Sequence, residues 1–169
     1  MKRATTGQVP TNSLRAVFEK AADGKHLVWL AGSIDENADI QGVFAKLTED
    51  TVINMQHVER VNSMGVHRWI PIVTRYSSQH RVVIDEISYA MVQNANVVAN
   101  LFGSAVVGSC MAPYFCGRCK DNRTVTVTHD EVLGSGYTPP VKQCTHCGSA
   151  MEFDELDGYF TFFMPRPRR

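Results

Sequence analysis

A chain of 169 residues, 44% hydrophobic and 20% charged, has the composition of a soluble globular protein and the length of one ordinary domain with room for a small appendage. Lys and Arg balance Asp and Glu at 17 each, with ten of each sign in residues 1–115 and seven of each in 116–169. That balance disfavours a protein that grips nucleic acid mainly through phosphates; the one basic cluster is Arg166, Arg168 and Arg169 at the very end.

No apolar run approaches the roughly 18 residues of a membrane span. The opening "MKRATTGQVPTN" has no apolar stretch after its basic residues, so the expected location is the cytoplasm, with no membrane contact. Residues 14–20 and 25–31 are strand-like runs around "AADGK", and Asp-Gly between such runs predicts an antiparallel hairpin. From Asp35 to Leu47, Ile40, Val43, Phe44 and Leu47 share a helical stripe, with Ser33 and Glu36 spaced as a capping box.

"TVINM" (51–55) reads as a strand. A helix follows with Val66, Trp69, Ile70, Val73 and Tyr76 on its inner face, and Pro71 inside it predicts a bend or a division. Ser63, in "ERVNSMGVHRW" at the head of that helix, fits a helix cap and equally a switch whose charge changes on phosphorylation. "RVVIDEI" (81–87) predicts a strand buried on both faces. Residues 90–102 predict a helix with Met91, Ala95, Val98 and Phe102 inward, ended by Gly103. Its other face carries Gln93, Asn94, Asn96 and Asn100, an ordinary solvated face or an uncharged docking surface. "AVVGSCM" (105–111) is the last strand of the series, with Cys110 a small buried apolar residue. The order β-β-α-β-α-β-α-β predicts an α/β domain with a mixed sheet, ending near Pro113.

The other four cysteines form two C-x-x-C pairs, Cys116/Cys119 and Cys144/Cys147, with 24 residues between the pairs. Each pair sets two thiolates on one tight turn, and two such turns facing each other build the tetrahedral sulfur cage that zinc prefers. "TVTVT" (124–128) alternates as a strand, and residues 151–163 read as a hairpin turning near Asp157-Gly158, so the whole resembles a zinc ribbon. Four thiolates leave no open position for a catalytic water, which makes the expected Zn2+ structural, with His146 pointing outward.

The element order, "LAGSIDENADI" (30–40) and "VINMQHVERVNSMGVHRW" (52–69) together resemble the STAS domain, the family of bacterial anti-sigma-factor antagonists, over residues 14–112. The resemblance implies a non-enzymatic regulatory module that docks a protein partner, an anti-sigma or serine-kinase type of regulator or a scaffold. It places Ser63 at the phosphorylated serine, Gly65 at the glycine of the turn, and Asn62 where the family commonly has Asp. Asn62, Ser63, Gly65, His67 and Arg68 are then the expected partner-binding residues, with Arg60 beside them.

The expected organisation is an N-terminal extension over 1–13, the STAS-like domain over 14–112, the ribbon over 113–163 and a basic tail over 164–169, with self-association plausible for a module of this kind. The alternative is a nucleic-acid-binding regulator using ribbon and tail. A thiol oxidoreductase is disfavoured because a metal cage ties up all four paired thiols. No acid-base pair, nucleophile-base pair or phosphate loop offers a catalytic residue.

Overall fold

The structure is a computed structural model and describes residues 13–164; the positions 1–12 of the expected extension and 165–169 of the expected basic tail lie outside the described residues. The chain is mixed α/β. A first sheet has the order β1-β2-β3-β4-β5, with β1 (Arg15–Lys20), β2 (His26–Ile34), β3 (Thr51–Val61), β4 (Val82–Asp85) and β5 (Val106–Val107). β1 and β2 form the expected antiparallel hairpin, turned at Asp23-Gly24 with Gly24 at φ +89°. All later neighbours are parallel.

The crossovers carry α1 (Ile40–Phe44), α2 (Ser63–Ser77) and α3 (Tyr89–Val97), and each moves the chain one strand further in the same direction. Right-handed connections in one direction put successive helices on one face of the sheet. The burial agrees. Val28, Ile53 and Ile84 sit in one cross-strand row and are buried, whereas Leu27, Val52 and Val83 in the adjacent row are only half-buried and Val106 beside them is exposed. The expected burial of the 81–87 strand on both faces therefore holds for one face only.

Several local expectations change. Ser33 does not cap a helix: it lies inside β2 and is buried, and α1 starts later, with the Asp39 carboxylate accepting the Gly42 N–H at 2.9 Å. β3 runs to Val61, well past the expected 51–55. Pro71 does not divide α2, which continues through it to Ser77. α3 is capped by Ser88 and stops at Val97, short of the expected 102.

The expected strand 105–111 breaks at Gly108. Its second part belongs to β6 (Ser109–Cys116), which passes straight through Pro113 and pairs with β7 (Asp121–Thr128) in a second sheet of order β7-β6-β9-β8. β8 is Lys142–Gln143 and β9 is Ala150–Phe153. The hairpin expected over 151–163 is absent. After β9 the chain turns into a 3-10 helix at Thr161–Phe163. An unanticipated helix α4 (His129–Gly134) follows β7, held by a complete capping box between Thr128 and Glu131.

The two sheets share one hydrophobic core, which runs from Val28 and Ile53 through Cys110 and Tyr114 to Phe160. Polar contacts reinforce the junction. The Tyr159 hydroxyl donates to the Met111 carbonyl at 2.6 Å, and Asn96 Nδ2 donates to the Tyr159 carbonyl at 3.0 Å. Glu86, at φ 46°, bridges the sheets, its carboxylate accepting from Asn54 Nδ2 at 2.7 Å and from Thr126 Oγ1 at 3.1 Å. No helix among the described residues is long and apolar enough to cross a membrane.

Candidate metal centre and helix-terminus site

Cys116 closes β6 and Cys119 follows in the turn to β7; Cys144 follows β8 and Cys147 lies in the turn to β9. The two turns are built alike. In each, the residue four after the first cysteine has positive φ (Lys120 at 54°, Gly148 at 71°) and donates its N–H to that cysteine's carbonyl at 2.8 Å. A short bend of this kind brings cysteines three apart to one side.

The four ligand sulfurs all lie within 4.8 Å of one another, with Cys116 Sγ to Cys147 Sγ at 3.5 Å and Cys119 Sγ to Cys144 Sγ at 3.9 Å. A tetrahedral cage with metal–sulfur bonds of ~2.3 Å has edges of about 3.8 Å, so the separations suit one shared ion. The donor chemistry fits as well. The N–H groups of Cys147 and His146 hold the Cys144 thiol below its ordinary pKa, and the Ser149 hydroxyl and N–H do the same for Cys147. Cys119, hydrogen-bonded to the Cys147 sulfur and then penalised by burial, is pushed up. A cation held between these sulfurs would stabilise their ionised forms. These four cysteines can therefore hold a metal ion, as their spacing predicts. His146 is exposed and stands outside the set. Cys110 is buried away from the cage, and burial pushes its thiol up to about 12.

The second site is the head of α2. The N-cap is Asn62, not Ser63: Asn62 Oδ1 accepts the Gly65 N–H at 2.8 Å. Its Nδ2 donates to Glu36 Oε2 at 2.8 Å, which holds the Glu36 carboxyl below the usual range. The Arg68 guanidinium donates to the Glu36 carbonyl, so the 35–39 loop is fastened to α2 at two points. Gly65 is required by close approach. A Cβ there would stand 2.0 Å from the Ile34 carbonyl oxygen, so the helix lies against the end of β2 with no room for a side chain.

Ser63 is thus the first residue of α2, exposed, and its hydroxyl bonds to no described residue. Of the expected partner-binding residues, Asn62 and Gly65 are committed to local structure. Ser63 and His67 are exposed one helical turn apart, and Arg68 is half-buried against the loop. Sequence reasoning missed Met64, which is 55% exposed beside Ser63; only its place in a helix tells that it points outward. Arg60 is exposed at the end of β3 and lines, with Ser33, Asp35, Glu36 and Asn62, a cavity of about 300 Å³ next to the cap.

Of the four amides expected on one face, Asn94 and Asn96 are used within the chain, whereas Gln93 and Asn100 are exposed and Asn100 lies beyond α3. Asn96 accepts from the Thr161 hydroxyl at 2.9 Å and the Phe162 N–H at 3.0 Å, and Asn94 bonds back to the Ala90 carbonyl. No family model matches the chain, and no curated protein or solved structure matches it either.

Proposed function

We propose that the chain is a non-enzymatic regulatory module of the STAS type. Its docking surface is the head of α2, and Ser63 gates that surface by phosphorylation. One observation carries this reading: Asn62 has taken over the cap, leaving the Ser63 hydroxyl free at an exposed first helical position. A serine occupied as cap would have to give up its bond to be modified; this one does not.

A phosphate at Ser63 would lie at the positive end of a 15-residue helix, a favourable place for negative charge, so α2 stays folded. It adds about 1.5 to 2 negative charges at neutral pH beside exposed Met64. A protein partner seated on Met64 and His67 would have to desolvate that charge, and it would be released. The partner is of the anti-sigma or kinase type, or a scaffold, and the setting is a bacterial cytoplasm.

In this reading the cysteine cage holds a structural zinc, because sulfur-only sites with four ligands favour zinc and leave no place for substrate. An enzymatic thiol role has no support, since the paired cysteines converge on one ion site and Cys110 is buried with a raised pKa.

The test uses the full chain as bait in extract of its own organism, as wild type, Ser63→Ala and Ser63→Glu. One protein retained by the first two and lost by the third is the expected result. Identical retention by all three baits refutes the gate.

A further inference from the structure

β1 is the outer strand of the first sheet, paired only with β2, and its other edge carries no strand among the described residues. Free edges invite pairing with another chain, and proteins usually blunt them with proline, bulges or charged side chains. β1, of sequence RAVFEK, has no proline and no bulge, and its register with β2 runs unbroken from Arg15 to Lys20. Its charges, Arg15, Glu19 and Lys20, are of mixed sign, so they do not repel a suitably registered second strand.

The strand is also self-complementary. Arg15, Val17 and Glu19 alternate onto one face, all three are exposed, and Val17 is 60% exposed. The two charges have opposite sign and flank Val17 symmetrically, and neither has an ion-pair partner among the described residues. Ala16 and Phe18 alternate onto the other face, where they continue the hydrophobic core.

We propose that β1 pairs antiparallel with β1 of a second copy about a two-fold axis at Val17, joining the two first sheets into one. In that register Val17 meets Val17, each Arg15 stands opposite Glu19 of the second copy, and each Ala16 meets Phe18. Cross-strand partners at this spacing interact directly, and opposite charges there stabilise where like charges repel. An isologous contact of this kind closes on itself as a dimer and leaves no further edge of the same type. The interface uses neither the cysteine cage nor the head of α2, so it stands or falls apart from the function proposed above.

Sedimentation equilibrium of the full chain, from micromolar to hundreds of micromolar, tests this with Arg15→Glu, Glu19→Arg and the double exchange. All three change exposed side chains, and far-UV circular dichroism verifies that they fold. The expected result is a wild-type dimer, at least tenfold weaker association for each single variant, and restoration in the double exchange. Mixing the two single variants should produce a heterodimer, because a strand with Glu at both positions then faces one with Arg at both. A wild-type chain that stays monomeric throughout overturns the proposal. So does a dimer indifferent to the single changes, or a failure of both the double exchange and the mixture to restore pairing.

Discussion

The two sheets of this protein share one hydrophobic core but differ in what closes their outer ends. The first is covered on its helix-bearing face by large side chains. Trp69 is 1% exposed, donates its indole N–H to the Leu101 carbonyl at 2.9 Å, and meets Phe44 edge-on at 5.5 Å. The second sheet has two of its four strands only two and four residues long, and its far end is gathered by the cysteine turns. Short strands close to solvent bury little apolar area, and a metal supplies the missing folding energy in such units. Packing alone closes the first region; the second shares that core and adds four cysteines that can hold a metal ion, and Asn96 and Tyr159 tie the two together.

With the structural zinc proposed above held in the cage, its removal breaks this comparison most sharply. The apparent binding free energy of a structural zinc is comparable with the net stability of an ordinary domain. A strong chelator, or Cys116→Ser, is therefore expected to melt β8, β9 and both turns. Hydrogen exchange should show fast amides over 142–153 while β2 and β3 stay protected. Loss of protection throughout β2 and β3 at the same rate would mean that the two regions are one cooperative unit.

Breaking it from the other side needs a core truncation. Trp69→Ala should destabilise the first sheet by about 3–5 kcal/mol, read as a shift in the chemical-denaturation midpoint at full metal loading. Bound metal, titrated with a chromogenic chelator, should stay at wild-type stoichiometry until the main transition begins.

The smallest of the three effects lies at the seam. Asn96→Ala leaves the Phe162 N–H and the Tyr159 carbonyl without their side-chain partners, at a cost of about 1–3 kcal/mol. Exchange should rise first in residues 159–163 and in α3. An unchanged pattern would show that the shared apolar core holds the seam by itself.

Much of the first sheet was legible because its signals are local. Asp23-Gly24 announces the hairpin, and the stripe from Val66 to Tyr76 announces α2. The cysteine spacing likewise foretells the cage, since two C-x-x-C turns have few other uses. Errors came where a residue's role is set at a distance. Ser33 has the spacing of a cap, but parallel pairing with β3 through Ile34 keeps it in the sheet. Ser63 and Asn62 are both good caps, and what decides between them is the end of β3 and the Glu36 contact, neither visible in the local pattern. The segment after Gly108 does stay beside the 81–87 strand, where Cys110 bridges Ile87 in parallel, but nothing local says that β6 then goes on to pair with β7 in a second sheet. α4 could have been found: Thr128 and Glu131 stand three apart ahead of Val132 and Leu133, the same spacing rule that misled at Ser33.

The tryptophans give this protein an optical readout of its own. There are two in the chain, and they occupy opposite faces of the first sheet. Trp69, sealed among the helices, should emit at short wavelength and shift only when that packing fails. Trp29, half-buried and directly across from Val17, should be reached by aqueous quenchers. Fluorescence from one residue thus follows unfolding, and fluorescence from the other follows whatever comes to lie against β1, without a label on either.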